Sequence, residues 1–198
     1  MYTGTVLHNV VEKCLKSITN GTRQPASLNL VSSAGVPLRL DLLEKCRGAV
    51  ERGVDVSITH PTSNRRMYPS VSVAVRDRFV GLSKREKAKV LKYKRVCKAA
   101  GIEFRPLVLD EFGGIGKQSV DYLAEASGMK CPVDCPDKGK VHEHGSLKSK
   151  QRFQSWLVRL SCAVHEGFAM ILAKGRNHHV RNTARAAARL WRAGVGGA

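Results

Sequence analysis

Acidic residues are scarce in this chain, and the scarcity restricts what it can bind. Its 198 residues include 16 Asp and Glu against 34 Lys and Arg, for a formal net charge of +18. With this imbalance, the chain cannot be a protein whose positive and negative surface charges balance. It favours a polyanionic partner, because each phosphate that a protein neutralises releases condensed counterions. The composition therefore predicts that the chain binds nucleic acid.

Other features that the sequence lacks bear on its location. We find no uninterrupted apolar run of the roughly 20 residues that a bilayer requires, so we expect no membrane partner. The six cysteines are mostly scattered, and no secretory signal precedes them. This pattern argues against a disulfide framework and for a reducing compartment. We therefore expect an intracellular protein.

Hydrophobic periodicity predicts an α/β fold for the first part of the chain. Apolar residues four apart indicate a helix over 5–18. Alternating β-branched residues predict a strand over 54–59, and a second strand is expected over 102–109. The intervening helix, 83–100, begins with a Ser-x-x-Glu capping box, and a further helix is predicted over 118–126. The alternation of helices and strands thus predicts an α/β domain.

The rest of the chain is predicted to be helical and strongly basic. We divide the sequence into an α/β domain (1–127), a loop rich in Cys and His (128–146) and a basic helical extension (147–198). The extension should contain one long amphipathic helix over 147–173 and a separate Ala- and Arg-rich helix over 178–192. It would pack on the α/β domain or project from it.

A pair of carboxylates on neighbouring apolar segments suggests a site for a divalent cation. Asp41 and Asp55 are predicted to lie on two consecutive strands, which can bring both side chains to one edge of a sheet. Hard cations such as Mg²⁺ take oxygen ligands and bind through one or two carboxylates together with substrate phosphate. Two aspartates near strands are common in α/β proteins, so the pair alone is weak evidence.

Several motifs in order resemble one known family. Asp41 and Asp55 stand in the contexts Arg39-Leu40-Asp41 and Val54-Asp55-Val56-Ser57-Ile58-Thr59-His60-Pro61, and further matches are His8-Asn9, Lys92-Tyr93, the segments 100–106 and 111–114, and Leu160-Ser161-Cys162-Ala163-Val164. Together they resemble the restriction-endonuclease-like domain of site-specific non-LTR retrotransposons. The similarity covers about residues 7–173. Leu7 stands where that family has Arg, and Leu40 where it has Pro.

The resemblance implies a restriction-endonuclease-like core, in which helices flank a small mixed sheet, and a set of catalytic residues. By analogy, Asp41 and Asp55 would hold Mg²⁺, and Lys92 would be the basic residue that steadies the attacking water or the phosphate. The implied activity is metal-dependent cleavage of DNA. A domain of this origin could also have been adopted as a ribosomal protein.

Two helices are predicted to contact the phosphate backbone. The helix over 83–100 carries eight basic residues against one acid, whereas a merely solvated face would interleave acids with bases. In the terminal helix, arginines recur at spacings of four, four and three, which places them along one side, and Trp191 could stack on a base. The predicted nucleic-acid-binding residues are Lys84, Arg85, Lys87, Lys89, Lys94, Arg95, Arg181, Arg185, Arg189, Trp191 and Arg192.

The loop over 128–146 contains residue types that bind zinc. Cys131, Cys135, His142 and His144 supply thiolates and imidazoles, but their spacing is not that of a standard zinc finger. The two histidines are also close together for one tetrahedral site. Both a zinc site and a polar loop with incidental thiols stay open.

Two functions of different classes fit these features. One is a Mg²⁺-dependent endonuclease. The other is a structural protein that binds structured RNA within a large ribonucleoprotein. We expect such a protein to be a mitochondrial ribosomal protein that contacts rRNA and neighbouring proteins. It would require no cofactor. We expect the second, because the chain carries no reverse transcriptase or DNA-targeting fingers and its charge is spread over helix, loop and tail. Mitochondria are then the expected location, with nucleus and cytoplasm as alternatives; whether the protein is an enzyme stays open.

Overall fold

A computed structural model of the chain describes residues 3–22, 24–25, 28–45, 51–59, 79–129 and 145–195. For residues 3–4 and 175–195 it describes the backbone alone. Within these ranges the helices are α1 (Thr3–Thr19), α2 (Phe79–Ala99), α3 (Lys117–Ala126) and α4 (Leu147–Val195). The strands are β1 (Leu30–Val31), β2 (Pro37–Leu38), β3 (Leu42–Lys45), β4 (Glu51–Thr59) and β5 (Ile102–Asp110). The α/β class predicted from the sequence is confirmed.

The central sheet is mixed and has three strands, in the order β3-β4-β5. β3 runs antiparallel to β4, with Leu42 opposite Val54, and β4 runs parallel to β5, with Asp55 opposite Pro106. Pro106 has no N–H to donate, and its strand lies at the edge of this sheet, as its presence in a strand predicts. β1 and β2 form a separate two-stranded hairpin.

Helices cover both faces of the sheet because its strands bury side chains on both sides. Leu42 of β3 packs into the main core with α1, α3 and α4, whereas its neighbour Leu43 packs into a smaller core with α2. This alternation is the period of two that a strand imposes. The main core comprises Leu7, Val11, Leu15, Ile18, Leu42, Val54, Val56, Leu107, Leu109, Tyr122, Leu123, Trp156, Leu160, Ala163 and Val164.

The C-terminal helix differs from the prediction of two separate helices. α4 continues from Leu147 to Val195 without interruption, although it contains Gly175. A single glycine inside a helix costs only about 1 kcal/mol relative to alanine, which is too little to end one. The first part of α4 packs along α1, and it contributes Trp156, Leu160 and Val164 to the main core.

Part of the same helix is long and apolar enough to be a candidate membrane span. By length and composition alone, the stretch Leu147–Lys174 is long and apolar enough to cross a membrane. The expectation that no such segment exists was therefore wrong on that criterion. A helix that contributes one face to a protein core passes the same test, and α4 has such a face.

The start of α2 is also corrected by the structure. The helix begins at Phe79 rather than at the predicted cap Ser83. Glu86 does not cap its own helix: its Oε1 accepts hydrogen bonds from the Ser119 backbone N–H at 2.9 Å and from Ser119 Oγ at 2.8 Å. These bonds cap the N-terminus of α3. The N-cap residue of that helix is Gly116, which has no side chain that could do so. The predicted strand segments over 54–59 and 102–109 and the helices over 5–18 and 118–126 are confirmed.

Candidate active site

Asp41 and Asp55 lie side by side at the β3–β4 pair. Asp41 directly precedes β3, and its backbone N–H donates a hydrogen bond to the Val54 carbonyl at 3.0 Å. Since Leu42 is opposite Val54, Asp41 flanks Asp55 across the ladder. The Asp55 side chain is 6% exposed and that of Asp41 is 20% exposed. The predicted juxtaposition of the two carboxylates is therefore present in the fold.

Both carboxylates open into one polar cleft. Its volume is about 280 Å³. It is lined by His8, Asp41, Asp55, Val56, Ser57, Ile58, Arg85 and Lys89. α1 supplies the imidazole, the residue before β3 and the strand β4 supply the carboxylates, and α2 supplies the two cations. The cleft thus combines groups that can hold a cation with groups that can hold a phosphate.

Lys89, rather than Lys92, reaches the carboxylate pair. Lys89 Nζ makes an ion pair with Asp55 Oδ2, and its side chain is 14% exposed. Lys92 lies one turn further along α2, is exposed, and places its ammonium 5.0 Å from the centroid of the Tyr93 ring. An almost buried carboxylate needs a close partner of opposite charge, and Lys89 provides it. The sequence had assigned Lys89 to backbone contact and Lys92 to the site.

A second cation of α2 also faces the cleft. Arg85 Nε donates a hydrogen bond to Ser57 Oγ at 2.8 Å. Ser57 lies two residues after Asp55 on β4, so both side chains point to the same face of the strand. This contact holds the guanidinium at the cleft. An arginine in that position is suited to bidentate contact with phosphate oxygens.

His8 connects α1 to the first carboxylate. Its Nε2 lies 3.2 Å from Asp41 Oδ2, and the same oxygen accepts the backbone N–H of Val56 at 2.7 Å. The hydrogen bond with Asp41 raises the pKa of His8, and partial burial opposes it. Asp41 Oδ2 is thus held by two donors, which fixes the orientation of the carboxylate.

Tyr93 anchors α2 to the segment that carries Asp41. The Tyr93 hydroxyl donates to the Arg39 carbonyl at 3.0 Å, and its ring stacks on Phe104 with centroids 5.0 Å apart. Burial, together with the nearby negative charge of Asp55, raises the pKa of Tyr93. Tyr93 is therefore the structural member of the Lys-Tyr pair noted in the sequence. Leu7 and Leu40 are both buried in the hydrophobic cores.

The other predicted binding residues fall into three groups. Lys84, Lys87, Lys94 and Arg95 are exposed on α2, outside the cleft. Arg181, Arg185, Arg189, Trp191 and Arg192 belong to α4, where the structure describes the backbone alone. Cys131, Cys135, His142 and His144 lie outside the described residues, so the zinc prediction stays a prediction.

Four residues of the cleft were not predicted as site residues, and two of them, His8 and Ser57, bring polar side chains. Both lie within the matched sequence motifs, but neither was predicted to contribute to the site. For His8 a signal was present: Glu12 follows it by one helical turn, which places an imidazole and a carboxylate on the same face of α1. Ser57 has no such signal, because its role depends on a contact with a distant helix.

Comparisons with protein-family models, with curated proteins and with solved structures find no match to this chain. The site therefore has to be interpreted from its own residues.

Proposed function

We propose that this protein is a metal-dependent nuclease whose active site is the cleft between α1, β4 and α2. The observation that carries the proposal is the convergence of Asp41, Asp55 and Lys89 from three separate segments of the chain. Two carboxylates and a lysine at one cleft are the groups that phosphodiester hydrolysis requires: ligands for a cation and a positive charge beside the phosphate. The sequence alone favoured a structural RNA-binding role, and the geometry shifts the preference to catalysis.

The arrangement of elements supports a restriction-endonuclease-like core as part of this proposal. A helix, an antiparallel strand pair next to the acids, a second helix and a parallel strand occur in this order as α1, β3, β4, α2 and β5, with the β1–β2 hairpin between α1 and β3. The carboxylates lie where the antiparallel pair begins and the basic residues lie on the following helix.

Asp41 and Asp55 have the donor chemistry that fits Mg²⁺. Asp41 immediately precedes β3 and Asp55 lies on the neighbouring strand β4, and both carboxylates line a polar cleft that is open to a substrate. The cation would activate a water molecule and stabilise the negative charge on the phosphate. Lys89 and Arg85 would orient the phosphate from the side of α2, and His8 with the Val56 N–H would keep Asp41 in position.

A cleavage assay tests the proposal. The full-length chain is incubated with supercoiled plasmid and with a structured RNA, in the presence of Mg²⁺ or Mn²⁺. We expect metal-dependent nicking of DNA that Asp55→Asn reduces by at least about 10²-fold, which corresponds to roughly 2.7 kcal/mol of barrier. Activity that persists unchanged in this variant, or its absence from the wild type under all these conditions, would refute the nuclease proposal.

Two lysines of α2 form a matched pair for a sharper test. Lys89→Met removes the cation that pairs with Asp55, whereas Lys92→Met removes an exposed cation one turn away. We expect the first variant to lose most of the cleavage rate and the second to retain it within about threefold, about 0.65 kcal/mol. Equal losses in both variants would indicate a general effect of charge and would contradict the assigned role of Lys89.

An RNA-binding structural role is the second candidate. The net charge of +18, with exposed lysines along α2 and a helix of 49 residues rich in arginine, supports extensive contact with a phosphate backbone. The partners proposed are rRNA and neighbouring proteins of a ribonucleoprotein, with mitochondria as the proposed location. This role needs neither Asp41 nor Asp55.

Binding and sedimentation distinguish the second candidate from the first. If the protein is a structural component, Asp55→Asn should bind structured RNA as tightly as the wild type. Affinity measured by fluorescence anisotropy should fall by about 10³-fold between about 50 and about 200 mM salt. The native protein should co-sediment with ribosomal particles from its source cells. Recovery free of any such particle would contradict the structural role.

A further inference from the structure

A second cluster of ligand groups adjoins the proposed catalytic pair. His8, Glu12 and Asp41 each offer one ligand atom, and these atoms all lie within 4.8 Å of one another. His8 and Glu12 occupy successive turns of α1, and Asp41 faces them from the start of β3. Since a cation bound at about 2.1 Å from each ligand separates ligand atoms by up to about 4 Å, small side-chain adjustments bring all three into one coordination sphere.

Each of the three ligand groups is oriented by a further contact. Asn9 Oδ1 lies 3.5 Å from His8 Nδ1, on the side of the ring away from Asp41. Lys16 makes an ion pair with Glu12 Oε1, while Glu12 Oε2 is the oxygen nearer His8, 3.9 Å from its Nδ1. The Val56 N–H holds Asp41 Oδ2 at 2.7 Å. Such supporting contacts orient the ligands of metal sites.

We propose that His8, Glu12 and Asp41 form a second divalent-cation site that shares Asp41 with the Asp41–Asp55 pair and prefers Mn²⁺ to Mg²⁺. The preference follows from the imidazole: Mg²⁺ takes oxygen ligands almost exclusively, whereas first-row transition metals accept nitrogen. A carboxylate shared between two sites would hold the cations a few Å apart, as in two-metal phosphodiesterases. The proposal extends the proposed nuclease function, but it concerns metal binding, which is measured without cleavage.

Metal binding to the full-length chain tests the proposal. Mn²⁺ is titrated by isothermal calorimetry, and the bound ions are examined by electron spin echo spectroscopy, which detects nitrogen coordinated to Mn²⁺. We expect the wild type to bind two Mn²⁺ and to show nitrogen modulation. His8→Ala and His8→Gln should each bind one Mn²⁺ without modulation, and Glu12→Gln should weaken the second site by at least about tenfold.

Two further variants serve as controls. Asp55→Asn should keep the Mn²⁺ site that contains His8, with its nitrogen modulation, and should lose the site formed by Asp41 and Asp55. His165→Ala removes an exposed histidine of α4 and should behave as the wild type. Circular dichroism and thermal unfolding confirm that each variant is folded. Wild-type protein that shows no nitrogen modulation, or a stoichiometry unchanged in both His8 variants, would overturn the proposal.

The outcomes also separate this site from the nuclease function. Two Mn²⁺ ions with the expected variant pattern, but no cleavage of any substrate, would refute the nuclease proposal and support the second site. Cleavage that depends on Asp55 but not on His8, with one Mn²⁺ bound in both the wild type and His8→Ala, would refute the second site alone.

Discussion

Glu86 allows a quantitative test of how α2 is held in place. Its carboxylate is 1% exposed and accepts two hydrogen bonds from Ser119, so it caps α3 from a different helix. It lies between Arg85 and Lys89 in the sequence, on the face of α2 that points inward. The register of α2 on the body of the protein, and hence the position of both cleft cations, depends on this contact.

We expect Glu86→Ala to destabilise the protein strongly. Losing a helix cap costs about 1 kcal/mol, and hydrogen bonds to a charged group contribute about 1.5 to 3 kcal/mol. Because Ser119 Oγ keeps its contacts with the Val108 N–H and the Pro106 carbonyl, we take a net loss of about 3 kcal/mol. Glu86→Gln retains an acceptor for Ser119 and loses only the charge at the helix N-terminus, which should cost about 1 kcal/mol.

Urea unfolding followed by circular dichroism measures both values. Lys87→Ala serves as the control, since Lys87 is an exposed neighbour in the same helix, and should lie within about 0.5 kcal/mol of the wild type. A Glu86→Ala variant as stable as this control would refute the capping role. A Glu86→Gln variant destabilised as much as Glu86→Ala would refute it as well, because the Gln side chain retains an acceptor for Ser119.

Two further predictions concern the sheet. Burial raises the pKa of Glu44, although the hydrogen bond from the Tyr122 hydroxyl opposes the shift. The folded state therefore binds a proton more tightly than the unfolded state, and this contribution to stability is lost as pH rises above about 4.5. Glu44→Gln should remove this pH dependence, so the variant should gain stability relative to the wild type as pH rises to neutral. A difference in urea midpoint between variant and wild type that stays constant from pH 4.5 to 7.5 would contradict this prediction. Gly53→Ala should cost about 1 to 3 kcal/mol in the same assay, because its Cβ would lie 2.5 Å from Leu40 Cδ1 and 3.0 Å from Ile102 Cγ2. Wild-type stability in that variant would mean that this part of the core can expand.

Local patterns in the sequence were sufficient to predict several elements of the fold and the pairing of the acids. α1, β4, β5 and α3 follow from hydrophobic periodicity, because a helix and a strand repeat their buried positions at different intervals. Asp41 and Asp55 could be expected to lie side by side because an antiparallel pair aligns residues at a fixed register. The excess of basic residues, and with it the preference for a polyanion, is a property of composition alone.

The identity of the site's other members depended on the tertiary structure. Lys89 and Lys92 look equivalent in the sequence, and only the rotation of α2 against β4 places Lys89 on Asp55 and Lys92 in solvent. In the same way, Glu86 has the spacing of a cap for its own helix but caps α3. His8 and Asp41 are 33 residues apart in the chain, and they meet because α1 packs across the start of β3. Contacts of this kind depend on how whole elements pack, which no local pattern encodes.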